Sequence, residues 1–226
     1  MESQWAEIGK RFTGQSPLAI LAWAYQQFGD RITLASSFGL EDVALIDMAA
    51  QVVPCPDVFM LDTDLLFHET YQTVQAIQAR YRVRLRRIRP SLSLAEQADQ
   101  YGDDLWARDP DLCCRLRKVL PLNEALDGYA AWITGIRREQ SPTRAAALAV
   151  EWDGSHGLVK VNPLVLWSTA EVWQWVRDRD VPYNPLHDQG FPSIGCMPCT
   201  RPVKPGEDLR AGRWSGFEKK ECGLHQ

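Results

Sequence analysis

The chain has 226 residues, 45% hydrophobic and 24% charged, the ordinary balance of a globular protein long enough to bury about 70% of its unfolded surface. Its formal charge of −4 argues against a general nucleic-acid binder, so any anion site has to come from local clusters of basic residues. No apolar run approaches the roughly 18 residues of a membrane span, and MESQWAEIGK does not read as a signal peptide, so a cytoplasmic protein without a membrane partner is expected.

In chain order, RITLASS (31–37) reads as a short buried strand, Phe38 and Gly39 as a turn, and LEDVALIDMAA (40–50) as a helix. PDVFMLDT (56–63) is a second strand and HETYQTVQAIQARY (68–81) a second helix. RVRLRRI (82–88), with alternate basic residues, reads as a third strand, LSLAEQADQYG (92–102) as a helix, and AAWITG (130–135) as an apolar strand ending at glycine. TAEVWQWVRDRD (169–180) is an amphipathic helix with Ser168 or Thr169 as its N-cap. Strands alternating with helices give βαβ units and an α/β fold around a mostly parallel sheet. Beyond residue 181 proline and glycine become frequent and periodicity fades. That predicts one domain over 1–209 and a mobile tail over 210–226.

In such folds ligands lie beyond the carboxyl ends of the strands. That singles out three stretches. SSFGLED (36–42) joins a strand to a helix, and backbone N–H groups of such a loop, with a helix N-terminus behind them, can hold a phosphate or sulfate. Taken alone, Ser36 and Ser37 serve equally well to end a strand and cap a helix. The GxxxxGK[ST] pattern is absent, which argues against an ordinary P-loop NTPase. Asp62 and Thr63 close the second strand, where a ribose or base edge could meet them. TGIRREQSPTR (134–144) sets Arg137, Arg138 and Arg144 in a polar loop after a buried strand. Three forked guanidiniums suit a polyanion, with solvation the alternative for any single one.

Six cysteines are too few for a secreted disulfide scaffold, and clustered thiols in a reducing compartment point to metal or redox chemistry. CCRLRK (113–118) and GCMPCT (195–200) supply Cys113, Cys114, Cys196 and Cys199 from two segments. A CxxC pair alone is a zinc half-site or a redox disulfide. Zinc normally draws on two such pairs and adjacent cysteines diverge, so the vicinal pair favours an iron–sulfur cluster. Cys55, between two prolines, has no derivable role. Cys222 lies four residues from the end, in KKECGLHQ. Lys219, Lys220 and His225 favour its thiolate while Glu218 and Glu221 oppose it. Gly212, Gly216 and Gly223 give the tail freedom to move. His68, His156 and His187 read as surface or structural residues.

Together, SSFGLEDVALID, LDTDLLFHETY, CCRLRKVLPL, WITGIRREQSPTRA, VNPL, PYNPLHDQGFPSIGCMPCT and ECGLH resemble the assimilatory adenylyl-sulfate reductases, in order, over about residues 30 to 225. The resemblance implies an adenine-nucleotide α-hydrolase-like fold of the PP-loop type and a [4Fe–4S] cluster on Cys113, Cys114, Cys196 and Cys199. It implies adenosine 5′-phosphosulfate (APS) as substrate and reduced thioredoxin, or glutaredoxin, as donor. Nucleotide contacts are expected from Ser36, Ser37, Phe38, Gly39, Asp42, Leu61, Thr63, Gly135, Arg137, Arg138 and Arg144. Catalysis is expected from Cys222, with His225, Lys118, Arg210 and Arg213 screening the approach of two anions. Relatives that use the 3′-phosphorylated nucleotide (PAPS) mostly lack the four cysteines, so APS is favoured, with PAPS reduction to sulfite and adenosine 3′,5′-bisphosphate as the alternative. Homo-oligomers are common in the family. Family members usually carry glycine where this chain has Asp64, and the stretch between Arg213 and Cys222 is slightly short.

The chemistry implied is attack of a Cys222 thiolate on the APS sulfur, release of AMP, and expulsion of sulfite from S-sulfocysteine by a donor thiol. The cluster is expected to order the site and to set Lys118 near the sulfate, not to pass electrons. Two rivals are an ATP-cleaving tRNA thiolase, which calls for a fuller SGGxDS-type loop and a basic RNA surface, and a non-enzymatic zinc module.

Overall fold

Ile32, Thr33 and Leu34 are all buried, as a strand covered on both faces requires. The structure, a computed structural model describing residues 2–217, 219 and 221–224, makes this strand, β1 (Ile32–Ala35), the middle of a six-stranded sheet. The other strands are β2 (Asp57–Leu61), β3 (Arg84–Ile88), β4 (Ala131–Ile133), β5 (Val150–Asp153) and β6 (Leu158–Val161). Their order is β3-β2-β1-β4-β6-β5. β1 pairs in parallel with β2 and β4, β4 in parallel with β6, and the edge strand β5 antiparallel to β6.

The helices are α1 (Glu2–Arg11), α2 (Pro17–Phe28), α3 (Leu40–Val52), α4 (His68–Arg80), α5 (Leu94–Tyr101), α6 (Leu105–Arg108), α7 (Pro110–Cys114), α8 (Leu120–Leu126) and α9 (Thr169–Asp178). A π-helical turn, Arg115–Val119, makes α7 and α8 one continuous rod. None among the described residues is long and apolar enough to cross a membrane. The chain divides into two compact units. One comprises Met1–Met60, Gln72–Arg86 and Gly128–Asn184, the other Leu61–Tyr71, Arg87–Asp127 and Pro185–Gln226.

In the first unit α3 is buried continuously over residues 43–49, and its Asp47 accepts hydrogen bonds from Tyr81 Oη and Trp175 Nε1, both at 2.9 Å. The amino ends of the strands are closed by Asp57, whose carboxylate accepts from Thr33 Oγ1 at 2.6 Å and Tyr129 Oη at 3.1 Å and pairs with Arg84 at 2.9 Å. The opposite, carboxyl ends are left for chemistry.

The α/β, mostly parallel sheet expected from sequence is present, with each anticipated strand and helix in place and trimmed by a few residues. The N-cap of α9 is Ser168, in a capping box: its Oγ accepts from Glu171 N at 3.2 Å and its own N–H donates to Glu171 Oε2 at 2.7 Å. Besides the helical stretch α6 to α8, two further parts had no counterpart in the sequence reading. They are the helices α1 and α2, and the β5–β6 hairpin, whose turn is held by Asp153 accepting from Ser155 N and His156 N. Past residue 181 the described residues form short 3-10 turns, Pro185–Gln189 and Met197–Cys199, and isolated bridges at Cys196 and between Thr200 and Arg213.

Candidate active site

From β1 the chain builds outward through β2 to β3, and β4 then begins the other half of the sheet. The direction of winding therefore reverses between β1 and β4, and open α/β sheets take their ligands in the crevice at such a point. The loops leaving these strands are residues 36–39 and 134–144. In the first, Ser36 Oγ accepts from Phe38 N at 3.1 Å, and Phe38, its ring buried, sits at φ 56°. A side chain in that left-handed region is strained by about 1–3 kcal/mol and persists where its surroundings dictate it. Ser37 donates through N and Oγ to Asp42 Oδ2, at 2.6 and 2.8 Å. The serine read as an anion ligand thus already faces an internal carboxylate. Gly39 precedes α3 as its N-cap.

Burial pushes the Asp42 carboxyl up to about 6, with the Ser37 hydrogen bonds pulling the other way and Glu41 adding to the rise. A carboxyl raised in the folded state contributes stability that is present below its unfolded value near 4 and lost as pH climbs through about 6. Relative to an Asp42→Asn chain, wild type is expected to lose stability as pH rises from about 4 to about 7. Urea unfolding at several pH values checks this, and parallel profiles for the two chains would refute it.

Gly135, just past β4, is where a Cβ cannot fit: it would stand 2.7 Å from Asp42 Oδ1 and 2.9 Å from Glu41 Cβ. Gly135→Ala is therefore expected to cost about 1–3 kcal/mol in unfolding free energy, through overpacking against α3. A urea midpoint equal to wild type would show that the loop can yield.

Arg137 is buried, and all five of its N–H groups are used. Nε and Nη2 reach Glu41 Oε1 at 2.9 and 2.8 Å, Nη2 also reaches Thr169 Oγ1 at 3.0 Å, and Nη1 reaches Glu139 Oε2 at 2.9 Å and Trp167 O at 3.0 Å. The sequence reading offered Arg137 to a bound anion; here it fastens its own loop to the starts of α3 and α9. Arg138 Nε donates to Ala147 O at 2.8 Å, and Arg144 Nη1 to Gln140 Oε1 at 2.5 Å. Gln140 in turn donates to Gly135 O at 3.1 Å, so the loop is knit from within.

The second unit carries Leu61 and Thr63 and five of the six cysteines, all of them free thiols. Cys113, Cys114, Cys196 and Cys199 line one pocket with Leu65, Trp106, Arg117, Lys118 and Trp214. The adjacent pair, expected to diverge, thus faces one space. Thr63 Oγ1 lies 3.2 Å from Cys196 Sγ. Burial, with the neighbouring thiols, pushes Cys113 up to about 12 and Cys199 to about 11; Arg117 opposes the first shift, Lys118 and Arg213 the second. Burial works against the charge on Lys118, but Cys196, Cys222 and Cys114 outweigh it and hold its pKa above the usual value, with Arg213 opposing. Among the described residues no three His, Cys, Asp or Glu side chains are grouped as a single bound ion would require.

Cys222 is half-buried, and its neighbour Gly223 lies on the cysteine-bearing rod, where a Cβ would stand 3.3 Å from Val119 Cγ2. The tail reaches that position through named contacts. Arg210 Nη2 pairs with Glu221 at 3.1 Å, and Lys219 pairs with Asp111 at the start of the cysteine helix. Trp214 is buried at φ 46°, with Arg213 at 4.6 Å, Lys219 at 5.7 Å and Arg210 at 5.9 Å from its ring. Arg213 also donates to Ser193 Oγ and Ile194 O, both at 3.2 Å, while its buried Nε has no hydrogen-bond partner among the described residues. Gly212, read as a hinge, marks a close approach instead, since a Cβ there would stand 2.2 Å from Arg201 O. His225, with Glu218 and Lys220, lies outside the described residues.

Leu65, Trp106, Pro110, Arg117 and Trp214 of this pocket went unread in the sequence, and the polar or cation-bearing contacts fall to Arg117 and Trp214. Arg117 had a signal: it follows Cys114 by three positions and Cys113 by four, which puts it on their face of a helix. Trp214 had none, because it sits in a segment without periodicity.

Comparison with known proteins agrees with this layout. The phosphoadenosine phosphosulfate reductase domain matches residues 31–202. An adenosine 5′-phosphosulfate reductase of Geobacillus thermodenitrificans is 51% identical over 209 residues, covering 92% of this chain and 89% of its own. Adenosine 5′-phosphosulfate reductase 1 of Bacillus subtilis is 45% identical, covering 98% and 97%. Among solved structures, a phosphoadenylyl-sulfate reductase from Candida auris in a phosphate complex superposes with a TM-score of 0.77 at 30% identity, covering 89% of this chain and 98% of its own. An FMN adenylyltransferase from Candida glabrata shares the fold, with a TM-score of 0.60 at 14% identity over 91% of this chain and 76% of its own. With a family model matched over residues 31–202 and curated relatives about half identical along nearly their whole length, the chain belongs to the adenylyl-sulfate and phosphoadenylyl-sulfate reductase family.

Proposed function

We propose that the chain reduces adenosine 5′-phosphosulfate to sulfite and AMP, an assimilatory oxidoreductase reaction on a sulfur group, with Cys222 as nucleophile and a dithiol protein of the thioredoxin or glutaredoxin type as donor. What supports this reading is that the residue after Cys222 packs on the rod that carries Lys118 and the paired cysteines, a Cβ on Gly223 standing 3.3 Å from Val119 Cγ2, next to the four-thiol pocket. Four free thiols from two segments, with no carboxylate or imidazole among the pocket's lining residues, fit the all-thiolate ligand set of a [4Fe–4S] cluster. Cys113, Cys114, Cys196 and Cys199 would hold it. When bound, it supplies structural order and a fixed charge distribution at the pocket.

The chain's own residues supply the rest. Lys118 and Arg213 offset the repulsion between a thiolate and a sulfate, and the open Nε of Arg213 is a donor for a sulfate oxygen. The Cys222 thiolate bonds to the sulfur, the bond from sulfur to the bridging phosphate oxygen breaks, and AMP leaves with that electron pair. A donor thiolate then attacks Cys222 Sγ and expels sulfite, and the donor's second thiol resolves the mixed disulfide, so the two electrons come from the dithiol. Adenosine contacts fall to residues 36–42, Leu61, Thr63, Gly135, Arg138 and Arg144, and His225 adds a cation beyond the nucleophile.

Steady-state kinetics on anaerobically purified chain, with a reduced dithiol protein and each nucleotide in turn, test the reading. The expected kcat/KM for APS exceeds that for PAPS by about 10²-fold or more. A preference for PAPS would reassign the substrate.

A further inference from the structure

The guanidinium of Arg117 is 1% exposed and engages four acceptors. Nε donates to Thr63 O at 2.7 Å, Nη2 to Asp64 Oδ2 at 2.7 Å, and Nη1 to Leu92 O and Gln97 Oε1, both at 3.2 Å. Its rod carries Cys113 and Cys114 one turn earlier, so this head group ties that cysteine pair to the segment following β2. The same segment is fixed to the other pair. Thr63 Oγ1 touches Cys196 Sγ, Met197 N donates to Leu65 O at 2.7 Å, and Leu66 forms an antiparallel bridge with Cys196.

We propose that Arg117 is a positioning residue for the four-thiol pocket: through residues 63–66 it sets Cys196 and Cys199 against Cys113 and Cys114, with Asp64 as its counter-charge. The inference rests on the reading that the four thiols hold one group together. A planar fork is needed because the acceptors lie on several sides of the head group, and a lysine ammonium cannot serve them all. Asp64 stands at φ 56°, a conformation that favours glycine and that aspartate is among the few side chains to tolerate. At this left-handed position the chain accepts the strained backbone and gains a carboxylate 2.7 Å from a buried cation that would otherwise be costly to leave alone. Arg89, 4.0 Å from Asp64, has a side chain 65% exposed, so Arg117 is the partner that decides where the carboxylate points.

A residue acting only on the fold would change stability and leave the thiols as they were. The test therefore reads the pocket. Full-length wild type, Arg117→Lys, Asp64→Asn and Gln97→Ala are purified anaerobically, assayed for iron and acid-labile sulfide, and followed by visible absorption while a ferrous chelator strips the metal. The expected result is that Arg117→Lys keeps a folded circular dichroism spectrum yet loses iron about 10–100-fold faster than wild type, with Asp64→Asn in between. Iron loss at the wild-type rate in Arg117→Lys would overturn the proposal. If that variant does not fold, Gln97→Ala decides, since it removes one acceptor and touches neither cysteines nor loop; a few-fold faster loss supports the proposal and an unchanged rate overturns it. If wild type binds no iron or sulfide, the cluster reading fails. Positioning is then decided on the same variants by the relative rates at which the four thiols react with a disulfide reagent. A changed pattern supports it and an identical pattern overturns it.

Discussion

Cys222→Ser is expected to abolish sulfite release, by on the order of 10⁴-fold or more, while nucleotide binding stays within a few-fold of wild type. Both halves follow from the residue's place. A serine hydroxyl is not appreciably ionised at neutral pH and cannot form the sulfur–sulfur bond that a donor thiol later breaks, so the two-step route closes. No neighbour can substitute. In the proposed enzyme Cys113, Cys114, Cys196 and Cys199 would all be committed as cluster ligands, which leaves none of them as a free nucleophile. Binding survives because the residues that would hold the adenosine belong to the strand-end loops, and the substitution leaves Arg213, the donor for the sulfate, in place. Single-turnover reaction of wild type with APS, before any donor is added, should leave one sulfonate on Cys222, visible as a mass increase on the C-terminal peptide. Sulfite release within tenfold of wild type in the serine variant, or a sulfonate found elsewhere, would remove Cys222 from the mechanism.

The fold was legible where a local rule had only one outcome. RITLASS and AAWITG are apolar runs ending in serine or glycine, and both became buried parallel strands flanking the point where the winding reverses. α9 declared itself through its capping box, down to the choice between Ser168 and Thr169 once Glu171 is seen three positions later. The β5–β6 hairpin was illegible because its stability comes from Asp153, which reaches Trp132 Nε1 at 3.1 Å on a strand distant in sequence. The site divides the same way. Paired cysteines and a terminal thiol announce themselves by spacing, whereas partner choice does not. Arg137, Arg138 and Arg144 look alike as a run of letters, yet only folding shows that Arg137 has acidic partners on both sides. Asp64 looked like a departure that clouds the nucleotide loop, and its backbone angle together with Arg117 turns it into a built contact.

Arg137→Met is expected to lower the unfolding free energy by about 3 kcal/mol, the lower end for breaking a buried ion pair. The lower end applies because Glu139 is 50% exposed and water can take over its charge, while Glu41 at 19% is left with little relief. Arg137→Lys should recover less than half of the loss, because one ammonium cannot reach Glu41, Glu139, Trp167 O and Thr169 Oγ1 together. Adding Glu41→Gln to Arg137→Met should restore part of the stability, since the stranded charge goes with it, and the two substitutions should therefore fail to add. Urea unfolding of wild type, Arg137→Met, Arg137→Lys, Glu41→Gln and the double variant measures all of this, and strict additivity would mean that Glu41 is not the partner that matters. The consequence reaches function through geometry. Arg137 pins residues 134–144 to the start of α3, where Asp42 packs within 2.7 Å of the Cβ position at Gly135. Loosening it should therefore raise the KM for the nucleotide more than it lowers kcat, whereas a guanidinium bonded directly to the reacting sulfate would show the opposite split.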